Sequence, residues 1–502
     1  MPAAVAMPSY DDTIAAIATP PGTGGIAILR ISGPKAGDLL SRLFRPRKRA
    51  ARTRATLQTE FSFVPRYMHY GHVLDSHGER LDDVLAVFMP GPHSATGEDV
   101  GEIHCHGGPG VTAALLEAAL AAGARLAGPG EFTRRAFLNG RMDLTQAEAV
   151  AEIINASTHE GARLAAAKLD GALAVEVRSV RDALDALRIQ VTLTIDFPDE
   201  EAELLSRPMF AGTVRECMEA IRRLLSAFDR ARLWREGAVA VLTGRVNAGK
   251  SSLLNALLGR ERAIVSPEPG TTRDYIEEIV HIRGMPLRVI DTAGLREGGD
   301  VVEAEGIRRS HDLAANADIL VFVTDVSVPV HPEERDFLRR NVGLLREGRL
   351  LLALNKLDAL EPVLGGETTR GAALARGRAF LMEALGNDPE AAAVSLQQCF
   401  LLSTKLGSGL EDLTQGLEKA LRALGGGELS EGDIAPNLRQ AQLLREALGD
   451  LEELWVALEH GHPPDILSVH LESAAYSLAS VTGVLDDEGI LDTIFASFCI
   501  GK

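Results

Sequence analysis

The stretch Gly244-Arg-Val-Asn-Ala-Gly-Lys-Ser251 restricts this chain more than any other. It satisfies G-x-x-x-x-G-K-S at every fixed position, a pattern that works between a strand and a helix. The apolar run Ala238–Thr243 before it reads as a buried strand, and residues 252–258 after it read as a helix. Glycines let the backbone wrap a phosphate closely, and successive N–H groups at a helix start form an anion cradle. Lys250 is placed to neutralise the β- and γ-phosphates, and the Ser251 hydroxyl to ligate Mg²⁺. A nucleotide site follows.

Further motifs say which nucleotide. Leu287-Arg-Val-Ile-Asp-Thr-Ala-Gly294 reads as a strand ending in D-x-x-G. Asp291 there can hold the Mg²⁺ shell through water, and the Gly294 N–H can sense a γ-phosphate. Between the two motifs, Gly270-Thr-Thr-Arg-Asp274 offers Thr272 to complete Mg²⁺ coordination. A strand over 349–354 leads into Asn355-Lys356-Leu357-Asp358, whose carboxylate can accept from guanine N1–H and the 2-amino group together. Adenine offers neither donor, and a mismatched base would leave a buried carboxylate unpaired. Ser403-Thr404-Lys405, after a strand over 399–402, suits a loop backing the base. Four motifs in this order specify GTP.

One position departs from Ras-like switches, which place a water-orienting Gln after D-x-x-G. Here it is Leu295, which cannot hydrogen-bond water. Glu303 is the polar candidate nearby, a solvated helix residue being the alternative. Asn247, with oxygens from residues 266–271, could seat a monovalent cation that stabilises transition-state charge.

At 502 residues the chain is long enough for several domains. Its formal net charge of −18 gives no global basic field for nucleic acid. A local cluster (Arg42, Arg45, Arg47, Lys48, Arg49, Arg52, Arg54) is either a solvated loop or an RNA contact. The four cysteines (105, 217, 399, 499) form no C-x-x-C pair, which argues for a reducing compartment and against structural zinc. No apolar run reaches membrane-spanning length, and residues 1–29 lack Arg and Lys, so no membrane or secretory role is expected and the cytoplasm is the default.

Residues 1–140 read as mixed α/β, with strands over 26–31, 85–88 and 102–106. His104 and His106 share a strand face; a metal pair is conceivable, ordinary hydrogen-bonded strand residues the alternative. Residues 141–236 and 428–502 read as helical arms flanking a nucleotide module at 237–427. Thr145-Gln-Ala-Glu148 reads as a capping box, followed by an apolar face of Ala147, Val150, Ala151 and Ile154. Leu438, Leu444, Leu448 and Leu451 mark a later helix, and residues 360–398 yield no reading.

The chain resembles the MnmE (TrmE) family of tRNA-modification GTPases over nearly its whole length. The resemblance rests on residues 18–33 (ATPPGTGGIAILRISG), Thr96-Gly-Glu-Asp99, His106-Gly-Gly-Pro109, residues 129–139 (PGEFTRRAFLN) and residues 143–149 (DLTQAEA). Within the GTPase it rests on residues 247–255 (NAGKSSLLN), G-T-T-R-D and residues 291–297 (DTAGLRE), and at the end on Phe498-Cys-Ile-Gly-Lys502.

The resemblance implies an α+β folate-binding and dimerisation domain, then a helical bundle domain interrupted by a Ras-like P-loop GTPase domain. It implies GTP-contacting positions at Asn247, Ala248, Gly249, Lys250, Ser251, Ser252, Ser266, Pro267, Glu268, Pro269, Gly270, Thr271, Thr272, Asp291, Thr292, Ala293, Gly294 and the two base motifs. It places Mg²⁺ on Ser251 and Thr272 and K⁺ on Asn247, Ser266, Glu268 and Thr271, with Glu303 orienting water. Folate contacts, to a 5,10-methylene- or 5-formyl-tetrahydrofolate, fall on Arg30, Glu102, Arg141 and Lys502. The expected partners are a second copy, tRNA, and the FAD- and NADH-using flavoprotein MnmG in a heterotetramer or larger complex. Together these would install an aminomethyl-type group on C5 of a wobble uridine.

Arg141 stands where relatives can carry Lys, which keeps charge and changes geometry. Thr404 stands where they commonly carry Ala. Cys499 is a candidate nucleophile or part of a packed tail; Gly501 and Lys502 do not fit a prenylation signal. A ribosome-assembly or RNA-binding GTPase switch is the alternative function.

Overall fold

A computed structural model describes residues 12–47, 61–196, 207–260, 276–291, 317–359, 397–424, 432–484, 488–496 and 498–501, with single positions 375, 379 and 382. The chain forms two compact units. One takes residues 1–154, 165–222 and 439–502, the other 155–164 and 223–438.

The first unit begins with β1 (Ile14–Ile17), β2 (Gly24–Ser32), α1 (Ala36–Leu43), β3 (Phe44–Pro46), β4 (His69–Leu74), β5 (Arg80–Met89), β6 (Val100–Gly107), α2 (Pro109–Ala121) and β7 (Arg125–Leu126). The strands form one sheet in the order β3-β4-β5-β6-β2-β1-β7, antiparallel except where β7 joins β1. Period-2 alternation sorts each strand. Ala27, Leu29 and Ile31 on β2 and Ile103 and Cys105 on β6 are buried in a core shared with α1 and α2 residues such as Leu40 and Leu115. Arg30, Glu102, His104 and His106 therefore fall on the opposite face.

Helices follow: α3 (Glu131–Leu138), α4 (Leu144–Asn155), α5 (His159–Leu169), α6 (Ala172–Asp196) and α7 (Arg207–Glu236). Buried positions on α6 run Leu173, Val177, Val180, Leu184, Leu187, Val191, the alternating four-and-three spacing of a helix-packing seam.

The second unit holds β8 (Ala238–Thr243), α8 (Lys250–Arg260), β9 (Ile276–Ile282), β10 (Met285–Asp291), β11 (Ile319–Asp325), α9 (Pro332–Arg340), α10 (Val342–Arg346), β12 (Leu350–Asn355), β13 (Cys399–Leu401) and α11 (Leu410–Ala423). Its sheet order is β13-β12-β11-β8-β10-β9, parallel apart from β9. Strands buried on both faces explain the continuous apolar runs at 319–323 and 350–354. The chain then returns to the first unit through α12 (Leu438–Glu459), α13 (Pro464–Thr482) and α14 (Glu488–Ala496).

Two sequence expectations are corrected. The capping box at Thr145 and Glu148 is absent. Asp143 caps α4 instead, accepting from Gln146 N at 3.0 Å and Thr145 Oγ1 at 2.6 Å, while Gln146 Oε1 accepts from Asp143 N at 3.0 Å. Asp143 stands one residue before the first helical position, where its side chain can reach the third amide; Thr145 is already inside the first turn. Glu148 is buried and accepts from Arg439 Nε (2.7 Å), Arg439 Nη2 (3.0 Å) and Gln440 Nε2 (2.5 Å). The two apolar faces hold except at one residue each: Ala147 is buried with Val150 and Ala151 packed beside it, and Leu444 and Leu451 are buried, whereas Ile154 and Leu438 are exposed; the buried face of α12 also takes in Gln440, Ala441, Ala447 and Leu454.

Candidate nucleotide and pterin sites

In the second unit β8, β10, β11, β12 and β13 run parallel, so their carboxyl ends share one edge of the sheet. Ligands of open α/β sheets bind at such an edge. There the chain forms a cavity of about 550 Å³ lined by Val246, Asn247, Gly249, Lys250, Ser251, Ser252, Asn355, Lys356, Asp358, Thr404 and Lys405. Two glycines are needed for this geometry. A Cβ on Gly244 (φ +137°) would lie 2.0 Å from Val323 O, and one on Gly249 (φ +102°) 2.2 Å from Asn355 Nδ2.

At the phosphate end, Lys250 Nζ donates to Gly244 O (2.9 Å) and Arg245 O (3.0 Å), curled within its own loop. Ser251 Oγ donates to Asp291 Oδ2 at 2.7 Å, so the two expected Mg²⁺-shell groups stand together. Asn247 sits at φ +63°, the left-handed region that Asn tolerates better than most residues. At the base end, Ser403 Oγ donates to one oxygen of Asp358 at 2.6 Å, fixing the carboxylate expected to read guanine. Asn355 ties the halves together, donating to Ala248 O (2.9 Å) and accepting from Thr404 N (3.1 Å). Residues 266–272 and 292–294, Glu303 and Lys502 lie outside the described residues, so Thr272, Ser266, Glu268, Thr271 and Gly294 receive no structural account.

Asp325, which sequence reasoning passed over, belongs to this edge. Its Oδ2 is 2.8 Å from Lys356 Nζ, and Oδ1 accepts from Ser327 N (2.9 Å) and Ser327 Oγ (2.6 Å). Burial pushes this carboxyl up, but the Lys356 and Ser327 donors outweigh it and hold it below the usual range. Its only sequence signal is its place at the end of an apolar strand.

The first unit carries the pterin candidates. Arg30 Nε donates to Glu102 Oε1 at 2.9 Å across the β2–β6 pairing, and its Nη1 lies 3.5 Å from Gly501 O. The tail reaches this point because Gly130 N donates to Cys499 O (3.3 Å), Ile500 bridges Pro129, and Phe498 packs with Leu144 and Phe495. Burial raises the Glu102 carboxyl, while donation from His104 and the Arg30 guanidinium outweigh it and leave it depressed. Arg141 lies beside Gly97, where an added Cβ would fall 3.2 Å from its Cγ. His104 and His106 take separate carboxylates, Glu102 at 3.3 Å and Asp82 at 2.7 Å, and no metal-binding cluster occurs among the described residues. Cys499 is exposed.

Two sequence models match the chain: the GTP-binding protein TrmE N-terminus over residues 13–141, and the MnmE helical domain over residues 144–499. The tRNA modification GTPase MnmE of Nitratidesulfovibrio vulgaris is 48% identical over 495 residues, 98% of this chain and 100% of that protein. The chain belongs to the MnmE family. Similar relatives of the same name come from Lawsonia intracellularis (41% over 493 residues) and a Roseiflexus species (42% over 495 residues), each again spanning 98% of this chain and the whole relative. As an MnmE-family chain it is a GTPase, with a TrmE-type N-terminal domain, a P-loop module and a helical domain. Among the described residues no helix is long and apolar enough to cross a membrane.

Proposed function

We propose that this GTPase works in the cytoplasm on tRNA, coupling GTP hydrolysis to modification of C5 of a wobble uridine with MnmG as partner. The observation that carries the reading is similarity from end to end, at up to 48% identity among the relatives compared, to proteins named tRNA modification GTPase MnmE. A regulatory switch that only binds RNA would not call for the Arg30–Glu102 pair beside the tail.

The chain's own residues account for the chemistry as follows. Asp358 reads the guanine edge, and Lys250 exchanges its two loop carbonyls for phosphate oxygens. The hard oxygens of Ser251 and Asp291 suit Mg²⁺, which with Thr272 would neutralise charge on the transferring phosphate. Asn247, Ser266, Glu268 and Thr271 are proposed to seat K⁺ where an arginine finger would otherwise act, as two copies pair their G domains. Glu303 orients the attacking water in place of the missing Gln. In the first unit a carboxylate such as Glu102 suits the donor edge of a pterin, and Arg30, Arg141 and Lys502 suit folate carboxylates. A folate bound there would supply the transferred carbon.

The test is GTP turnover in K⁺ against Na⁺ at equal ionic strength, with Glu303→Ala alongside. Stimulation by K⁺, and a variant that binds GTP without hydrolysing it, are expected. Equal rates in both salts with an active variant would overturn the catalytic assignment.

A further inference from the structure

The edge of the N-terminal sheet carries a cluster of cations that the GTPase does not use. Arg45 pairs in register with His72, and Arg47 N donates to Tyr70 O, so Arg45, Arg47, Tyr70 and His72 share the sheet face opposite the core. Arg47 Nη1 donates to the Tyr70 hydroxyl at 2.8 Å, with its guanidinium 5.4 Å from the ring centroid. Tyr70 is 47% exposed, and its register partner Leu85 is 41% exposed.

The partners that hold these arginines are neutral. Several surface arginines elsewhere meet carboxylates: Arg80 with Asp83 at 2.7 Å, Arg188 with Asp185 at 2.8 Å, Arg222 with Glu452 at 2.8 Å. Arg45 instead donates to the carbonyls of Ser41 (2.8 Å), Arg42 (3.1 Å) and Phe44 (2.9 Å), and Arg66 to those of Pro90 (3.3 Å) and His93 (2.8 Å). Among the described residues neither they nor Arg47 has a carboxylate partner. Neutral acceptors fix a guanidinium's direction and leave its full charge outward. Asp83, the acid opposite His72, is taken by Arg80. In a chain of net charge −18, the only acid from residue 41 to 70 is Glu60.

We propose that this edge binds an unpaired loop of RNA, with Arg45 and Arg47 on phosphates and a base stacked on Tyr70. Fixed, uncompensated guanidiniums beside an exposed aromatic face are what single-stranded RNA requires. The helix-capping bonds of Arg45 explain its orientation, yet they do not explain why no acid balances the cluster. The proposal deepens the tRNA reading above and rests on it.

The test measures binding of a fluorescein-labelled RNA stem-loop, a blunt RNA duplex and whole tRNA to the full-length chain over a salt series. Arg47→Glu is expected to weaken stem-loop binding about tenfold and lower the salt slope by about one or more. Tyr70→Ala is expected to weaken stem-loop binding about tenfold while leaving the duplex within about twofold, and Tyr70→Phe to restore it. GTP turnover in each variant checks folding. Binding of tRNA unchanged by both variants would refute this surface and leave the tRNA reading standing. No binding of any RNA by the unaltered chain would sink both. Loss confined to an acidic protein partner would reassign the surface.

Discussion

Asn355 is the strut of the nucleotide site, and replacing it tests whether the site is one construction. The residue is 1% exposed, and its amide joins the phosphate loop at Ala248 O to the base loop at Thr404 N. In Asn355→Ala both partners lose their hydrogen bond. A buried polar group left unsatisfied costs about 1–3 kcal/mol, so the pair sums to about 2–6 kcal/mol. Nothing in this bridge points toward the γ-phosphate, so the loss should fall on ground-state binding of GTP and GDP alike. The lower figure, taken wholly on affinity, is about 30-fold. Equilibrium titration with fluorescent GDP and GTP should show parallel weakening, and steady-state turnover a raised KM with kcat changed by no more than about threefold. Asn355→Asp keeps the acceptor for Thr404 N and sets a carboxylate against Ala248 O, so it should rescue little. Affinity within about threefold of the parent, together with an unchanged melting temperature, would refute the argument.

Three further outcomes follow from the geometry. Glu148→Ala removes the carboxylate that accepts from Arg439 and Gln440, leaving Arg439 its bonds to the Ser480 and Val481 carbonyls, and should lower unfolding free energy by about 3 kcal/mol, read by denaturant titration; a loss below about 1 kcal/mol would mean the cluster relaxes. Acid should destabilise the first unit through Glu131 and Glu102: donation from Arg125 to Glu131, and from His104 and Arg30 to Glu102, outweighs burial and depresses both below their ordinary 4.5. A depressed folded pKa means stability is present above the unfolded value and lost as pH falls through the folded one. Urea midpoints should therefore drop between about pH 5 and pH 3, and less so in Glu131→Gln. Burial pushes the Cys105 and Cys217 thiols up to about 11 and Cys399 up to about 12, whereas Cys499 is exposed. Brief alkylation near neutral pH should label Cys499 first, as peptide mass spectrometry would show; early labelling of Cys105 would contradict its packing.

The nucleotide site was legible because its chemistry demands particular backbones at particular strand ends. Gly244 and Gly249 admit no side chain, Ser251 must reach Asp291, and Asp358 must accept from Ser403; each requirement leaves a residue type at a fixed place in the chain. Asp325 escaped because an acid at a strand end is common and its partner Lys356 is brought to it only by the β11–β12 pairing. The pterin candidates came from resemblance, since the Arg30–Glu102 contact depends on a cross-strand register that no local pattern states.

The helices were legible in part. An apolar period marks a buried face only while buried residues are apolar, and in α4 and α12 the two polar residues Glu148 and Gln440 are buried against each other. Their partners lie 292 positions apart in the chain, beyond any local window. Reading Glu148 as a cap and Leu438 as part of the apolar face misplaced those two residues, while Ala147, Leu444 and Leu451 are buried as their spacing indicates. A buried carboxylate satisfied by Arg439 and Gln440 meets that need internally, and it joins the helical stretches before and after the GTPase segment into one unit.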